Sequence, residues 1–172
     1  MTLAAKETHE LVVFREFAVA AELGGAIDDA ECRPPPEPAI LYRTKDGLQY
    51  FELGRLADAE HARTVLKAIR QAPKPVTPDL KKIKLPEREV LKQKLTKTYE
   101  ASGLPIDLVL YFDSERRHLE GGIPLMDFGL HASFVMVPLL ENSMGQFQRV
   151  WVFERYRRSI VWSFPQRGAN DG

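Results

Sequence analysis

The segment PPPEPAILYRTKDGLQYFELGRL, residues 34–56, decides how this chain is read. Prolines at 34, 35, 36 and 38 exclude helix interior and central strand, so the run is a stiff lead-in to the β-rich residues after it. Residues 39–44 (AILYRT) and 48–53 (LQYFEL) are two β-rich segments joined by Lys45-Asp46-Gly47. A short loop carrying Asp-Gly between such segments predicts a β-hairpin. Its second strand sets Glu52 between Phe51 and Leu53, and strand alternation turns that acid to the face opposite both neighbours. An acid inside an apolar strand needs a reason.

Upstream, residues 4–23 predict a helix, because Leu11, Phe14, Ala18 and Ala21 recur at three- and four-residue steps. Gly24 and Gly25 end it, and residues 27–33 suggest a short edge strand. Downstream, residues 57–71 are helical in pattern, with Ala62, Val65, Leu66 and Ile69 on one side. A proline-punctuated loop comes next. Pro86 then opens a helix predicted over 87–101, striped by Leu91, Leu95 and Thr98-Tyr99 and stopped by Ser102-Gly103. Residues 106–112 (IDLVLYF) form a nearly unbroken apolar run, which suits a strand buried on both faces. Residues 114–125 are a predicted loop, and 127–141 a helix that Pro138 must kink or end. Residues 147–153 and 159–164 make a final β-hairpin around residues 154–158. Its Trp151 and Trp162 could stack or mark an interface, with core packing the simpler role. The expected fold is one α/β domain over residues 1–172, with a mixed central β-sheet flanked by helices.

Composition narrows the function classes. Hydrophobic residues at 44% and charged residues at 28% are those of an ordinary globular domain. The 24 basic and 24 acidic residues cancel, so nucleic-acid or membrane binding would need a local patch. Cys32 is the only cysteine, which excludes an internal disulfide and a multi-cysteine metal site; it is expected to act as a small apolar residue. Lys6, Glu7 and Glu10 arrive too early for a signal or transit peptide. No apolar run approaches the roughly 20 residues that span a bilayer. A small cytoplasmic protein of bacterial type, with no membrane partner, is the expectation.

Walker, dinucleotide-binding, HExxH, GxSxG and CxxC motifs are all absent. The order of elements over residues 4–113, with an acid on the third strand, resembles the PD-(D/E)XK restriction-endonuclease-like superfamily. Its core runs helix, three strands, helix, strand. An Asp begins the second strand, and an acid–x–Lys lies on the third. The resemblance implies a restriction-endonuclease-like core extended here by a C-terminal helix and β-hairpin. It also implies phosphodiester chemistry, in which carboxylates hold Mg²⁺ and a lysine positions the attacking water.

Carried over residue by residue, Glu52 stands at the third-strand acid, as catalytic and metal-binding residue. The second acid has two registers. In one, Pro36-Glu37 supplies a carboxylate, and Glu37 joins Glu52 as catalytic residue and Mg²⁺ ligand. In the other, Pro38-Ala39-Ile40 is the counterpart and the carboxylate has become a methyl; this register puts Ala39 at the strand start and is preferred. The lysine position, two after Glu52, is Gly54, so a substitute cation would come from Arg55 or Lys67. Glu10 or Glu16 on the first helix could add an acid. The plain alternative for Glu52 is a solvent-facing residue or a cross-strand partner of Arg43 or Arg55, worth about 0.2–1 kcal/mol.

Two basic clusters are candidate nucleic-acid contacts. One spans residues 81–97 and includes Lys92 and Lys94; the other is Arg155, Arg157 and Arg158. Solvated surface is the ordinary explanation for both. Three function classes therefore stand open. The leading one is a nuclease-fold protein with a degenerate site that acts by binding, as a regulatory or accessory subunit with a nucleic-acid or protein partner. The second is an active Mg²⁺-dependent nuclease, and the third an unrelated α/β protein. A homodimer through the C-terminal hairpin is a further option.

Overall fold

The computed structural model describes residues 3–56, 86–113 and 128–165. Six strands form one open mixed sheet in sequence order: β1 (Glu31–Cys32), β2 (Ile40–Thr44), β3 (Gly47–Arg55), β4 (Ile106–Phe112), β5 (Arg149–Glu154) and β6 (Ser159–Phe164). The first three pair antiparallel, β3–β4 and β4–β5 pair parallel, and β5–β6 closes antiparallel. Helix α1 (Leu3–Ala20) covers one face. The other carries α2 (Pro86–Thr96), α3 (Phe128–Val135) and α4 (Val137–Asn142). Among the described residues, no helix is long and apolar enough to cross a membrane.

Strand alternation builds both cores. On the α1 side Ile40, Tyr42, Phe51, Leu53, Val109, Tyr111, Trp151 and Phe153 meet Val13, Phe14, Phe17 and Ala18. On the other side Tyr50, Leu108, Leu110, Val150, Val152 and Trp162 meet Leu91, Ala132, Met136 and Leu140. Every residue of β4 is buried, which the unbroken run IDLVLYF anticipates. Trp151 and Trp162 pack into opposite cores: Trp151 pairs across the ladder with Ser163, while Trp162 stacks on Phe164 at 6.1 Å. They do not stack on each other.

The hairpin of residues 39–53 is present as β2 and β3, with Ile40 opposite Phe51 and Thr44 opposite Gly47. Other boundaries shift for identifiable reasons. The edge segment 27–33 is a 3₁₀ turn (Ile27–Asp29) and then a two-residue strand. Helix α2 stops at Thr96, five residues short of the expected end. Its Oγ1 donates to the Lys92 and Gln93 carbonyls, and Lys97 N–H reaches the Lys94 carbonyl at 3.3 Å. Tyr99 then turns into the core, clamped by Gln146: its N–H donates to Oε1 at 2.6 Å and its C=O accepts from Nε2 at 2.9 Å. The 127–141 helix breaks at Met136, and Pro138 sits in the first turn of α4, where its missing N–H costs nothing. The helix expected at 57–71 and the loop at 114–125 lie outside the described residues.

Gly25 fixes the return from α1 into the sheet. Its φ is +81°, and a Cβ there would stand 2.1 Å from the Arg43 carbonyl oxygen. Gly24 beside it offers its carbonyl to the Tyr42 hydroxyl at 2.5 Å. Gly25→Ala must therefore move backbone as well as strain φ, and is expected to destabilise the fold by about 3 kcal/mol. Gly47, with nothing within 4 Å of its would-be Cβ, should tolerate Ala far better despite φ +132°. Urea unfolding of the two variants checks the contrast.

Candidate functional site

Glu52 lies midway along β3 and is 5% exposed. Alternation points it away from Phe51 and Leu53, as expected, into the layer beneath α2. Lys94 descends from that helix and donates from Nζ to Glu52 Oε1 at 2.5 Å. The Ala39 N–H donates to Oε2 at 2.9 Å. Lys97 stands 4.0 Å from Oε1 and 4.8 Å over the Tyr99 ring. Glu52 is thus neither solvent-facing nor paired to Arg43 or Arg55. Arg55 instead binds Asp113, with Nε 2.6 Å from Oδ2. The cation supplied to Glu52 is Lys94; Lys67 lies outside the described residues.

Gly54 lets α2 sit close over β3, which brings Lys94 within reach of Glu52. A Cβ there would meet Leu110 Cδ2 at 2.7 Å, Val90 Cγ1 at 3.0 Å and Lys94 Cε at 3.6 Å. A glycine inside a strand marks such a close approach. The sequence carries a second sign of the pair, since Lys94 interrupts the stripe Val90, Leu91, Leu95 that α2 lays on the sheet.

Glu37 is on the same side as Glu52, because it binds Tyr50, two residues before Glu52 on β3. The Tyr50 hydroxyl donates to Glu37 Oε2 at 2.5 Å. Arg33 Nε donates to Oε2 at 2.9 Å, and Nη2 to Oε1 at 3.4 Å. The guanidinium, and then the phenol, hold the Glu37 carboxyl below its usual range. The loop bearing Glu37 is tied to the segment after α2 by Glu100 N–H on the Pro36 carbonyl at 3.1 Å. Tyr99 is buried beneath this cluster, and its hydroxyl makes no hydrogen bond of normal geometry among the described residues. Burial, then the nearby Glu52 charge, raises its pKa.

Neither candidate acid on α1, Glu10 or Glu16, reaches Glu52. Glu10 pairs with Lys6 at 3.6 Å, and Glu16 binds Arg155 on the opposite side of the sheet. Arg155 donates to Glu16 from Nε at 2.7 Å and Nη2 at 3.1 Å, and to Asp113 Oδ1 from Nη1 at 2.8 Å. These bonds raise its pKa, the Glu16 bond most. His9 extends the network, 4.0 Å from Asp113 and 3.4 Å from the Tyr111 hydroxyl, whose pKa burial and then Asp113 push up to about 12. This network caps the carboxyl ends of β3, β4 and β5. Lys94 meets β3 opposite Leu108, five residues before Asp113, so Lys94 and Arg155 stand roughly 16 Å apart along the strands. Of their members, Lys94 and Arg155 are bound internally, while Lys92, Arg157 and Arg158 are exposed.

Two polar groups carried no sequence signal. Asp113 comes directly after β4 and collects two arginines. Asp107, 6% exposed on the α1 side, accepts from Trp151 Nε1 at 2.8 Å, and burial raises its pKa. Cys32 is half-buried, with Sγ 3.3 Å from the Glu7 carbonyl, and burial raises its pKa as befits an unreactive thiol.

Comparison with protein-family models, with curated proteins and with solved structures gives no match.

This geometry makes two outcomes testable. Lys94→Met leaves buried Glu52 with only the more distant Lys97, 4.0 Å away, and should cost on the order of 3 kcal/mol, whereas Glu52→Gln with Lys94→Met should recover most of it. Chemical denaturation of both single variants and the double tests the coupling; additive losses would refute it. Asp107 holds its proton above the ordinary 3.8, so folding binds a proton there. Its contribution is full below about pH 4 and is lost as pH rises through the raised value. Asp107→Asn keeps an acceptor for Trp151, so its melting temperature should gain on the wild type as pH rises above about 4, and the gain should level off once the raised value is passed.

Proposed function

We propose that this chain is a restriction-endonuclease-like protein of the PD-(D/E)XK type whose catalytic position is filled from within, so that it acts by binding, in a regulatory or accessory role. The observation that carries this is the Glu52–Lys94 pair, with the Ala39 N–H on the second carboxylate oxygen. Among the described residues, the element order α1, β1–β3, α2, β4 supports the comparison. Ala39 stands against Glu52 where the pattern has its second-strand acid, which favours the register with a methyl in place of a carboxylate.

A Mg²⁺ site needs hard oxygen donors whose charge is not already neutralised. Here each carboxylate meets a cation of the protein's own: Lys94 at Glu52 and Arg33 at Glu37. The residues as arranged do not suit Mg²⁺. Displacing Lys94 would also strand an ammonium under α2, adding a desolvation penalty to metal entry.

The active-nuclease reading draws on the same pair. Lys94 sets an ammonium beside the third-strand acid, which is the chemistry the absent acid–x–Lys lysine would supply, and Glu37 lies on the same side of the sheet. Incubation of the full chain with supercoiled plasmid and Mg²⁺ or Mn²⁺ separates the two. No cleavage above a no-protein control is expected, for wild type and Glu52→Gln alike. Cleavage by wild type that Glu52→Gln abolishes would overturn the binding-only function.

A further inference from the structure

Residues 155–158 turn the chain from β5 into β6, closed by Arg158 N–H on the Arg155 carbonyl at 3.1 Å. Arg158 takes φ +49°, which sets the turn and leaves Tyr156 and Arg157 as its two central residues. Tyr156 is 64% exposed, an unusual place for a large aromatic ring, and the Arg157 side chain is 59% exposed. Arg157 pairs only loosely with Glu154, its Nε 3.9 Å from Oε1, an oxygen with no hydrogen bond among the described residues. Arg158 is exposed and has no ion-pair partner among the described residues. Arg155 differs from both, since Glu16 and Asp113 hold it within the fold. Arg55, with its side chain 55% exposed, reaches the same end of the sheet through Asp113.

We propose that this turn is a contact for single-stranded nucleic acid, in which Tyr156 stacks on an unpaired base while Arg157 and Arg158 meet the flanking phosphates. The inference rests on the reading that the chain acts by binding, and names what it binds. A projecting ring followed by two exposed guanidinia supplies both halves of single-strand recognition: a π-face for any base and cations for the backbone. A duplex offers the cations their phosphates but buries the base faces that a tyrosine at a hairpin tip would need. Lys94 takes no part, because its charge is engaged by Glu52. Phe134, nearly as exposed at 63%, has no such cations beside it in sequence and carries no comparable argument.

Fluorescence anisotropy of a labelled thymidine oligonucleotide, read against salt in EDTA with the full chain, tests this. Wild type should bind the single strand more tightly than its duplex with the adenosine complement. Tyr156→Ala should weaken binding roughly tenfold with the salt slope unchanged, and Tyr156→Phe should restore it. Arg157→Ala with Arg158→Ala should lower the salt slope by about 1.4, two single-strand phosphates at 0.7 each. Absence of binding at low salt, equal binding by wild type and Tyr156→Ala, or equal displacement of both by polyglutamate would each overturn it. EDTA removes metal-dependent cleavage from the readout. A chain that fails here yet leaves plasmid intact loses only the nucleic-acid partner. One that cuts plasmid but keeps the Tyr156 dependence loses only the degenerate-site reading.

Discussion

A carboxylate buried in the middle of β3 must be met by a cation, and that requirement organises one whole face of the protein. Moving an ion pair out of water costs several kcal/mol per charge before attraction and hydrogen bonds offset it. Glu52 therefore constrains where α2 can lie: close enough for the Lys94 ammonium, over a strand position that carries no Cβ. With α2 set, the chain after it turns inward at Tyr99, and Glu100 ties back to the proline lead-in at Pro36. Ala39, at the end of that lead-in, then donates to Glu52. Sequence positions 36, 39, 52, 94 and 100 thus close a loop of contacts around one acid.

The fold was legible where periodicity and turn chemistry agreed. The 39–53 hairpin, the buried strand 106–112 and the break near Pro138 come from local rules that tertiary packing did not contest. Misplaced boundaries are those where a long-range bond outcompeted propensity. The residues after Thr96 are ordinary helix formers apart from Thr98, yet Gln146 captures the Tyr99 backbone in place of a helical ladder.

The site was legible only in outline. Glu52 announced itself as an acid between apolar neighbours, but its partner lies 42 residues away. Arg55 was the nearest cation in sequence and was drawn off by Asp113, a residue with no pattern to mark it. Pairings across 42 or 139 residues depend on which helix covers which face, and no local rule contains that. Among the arginines of the last turn, sequence could not separate the one bound within the fold from the two that face outward. Alternation and turn position make the distinction.

The Arg155–Glu16 bond joins residues 139 apart, and Phe17 of α1 packs edge-on against Trp151 and Phe153 of β5. Helix α1 is therefore seated on a strand made well over a hundred residues later. During synthesis its apolar side leaves the ribosome with only the β2–β3 half of its platform available. High contact order of this kind slows folding and prolongs exposure of sticky surface. A chain shortened before β5 would lose the arginine clasp and the aromatic seat together, leaving the amino-terminal helix to seek another apolar surface.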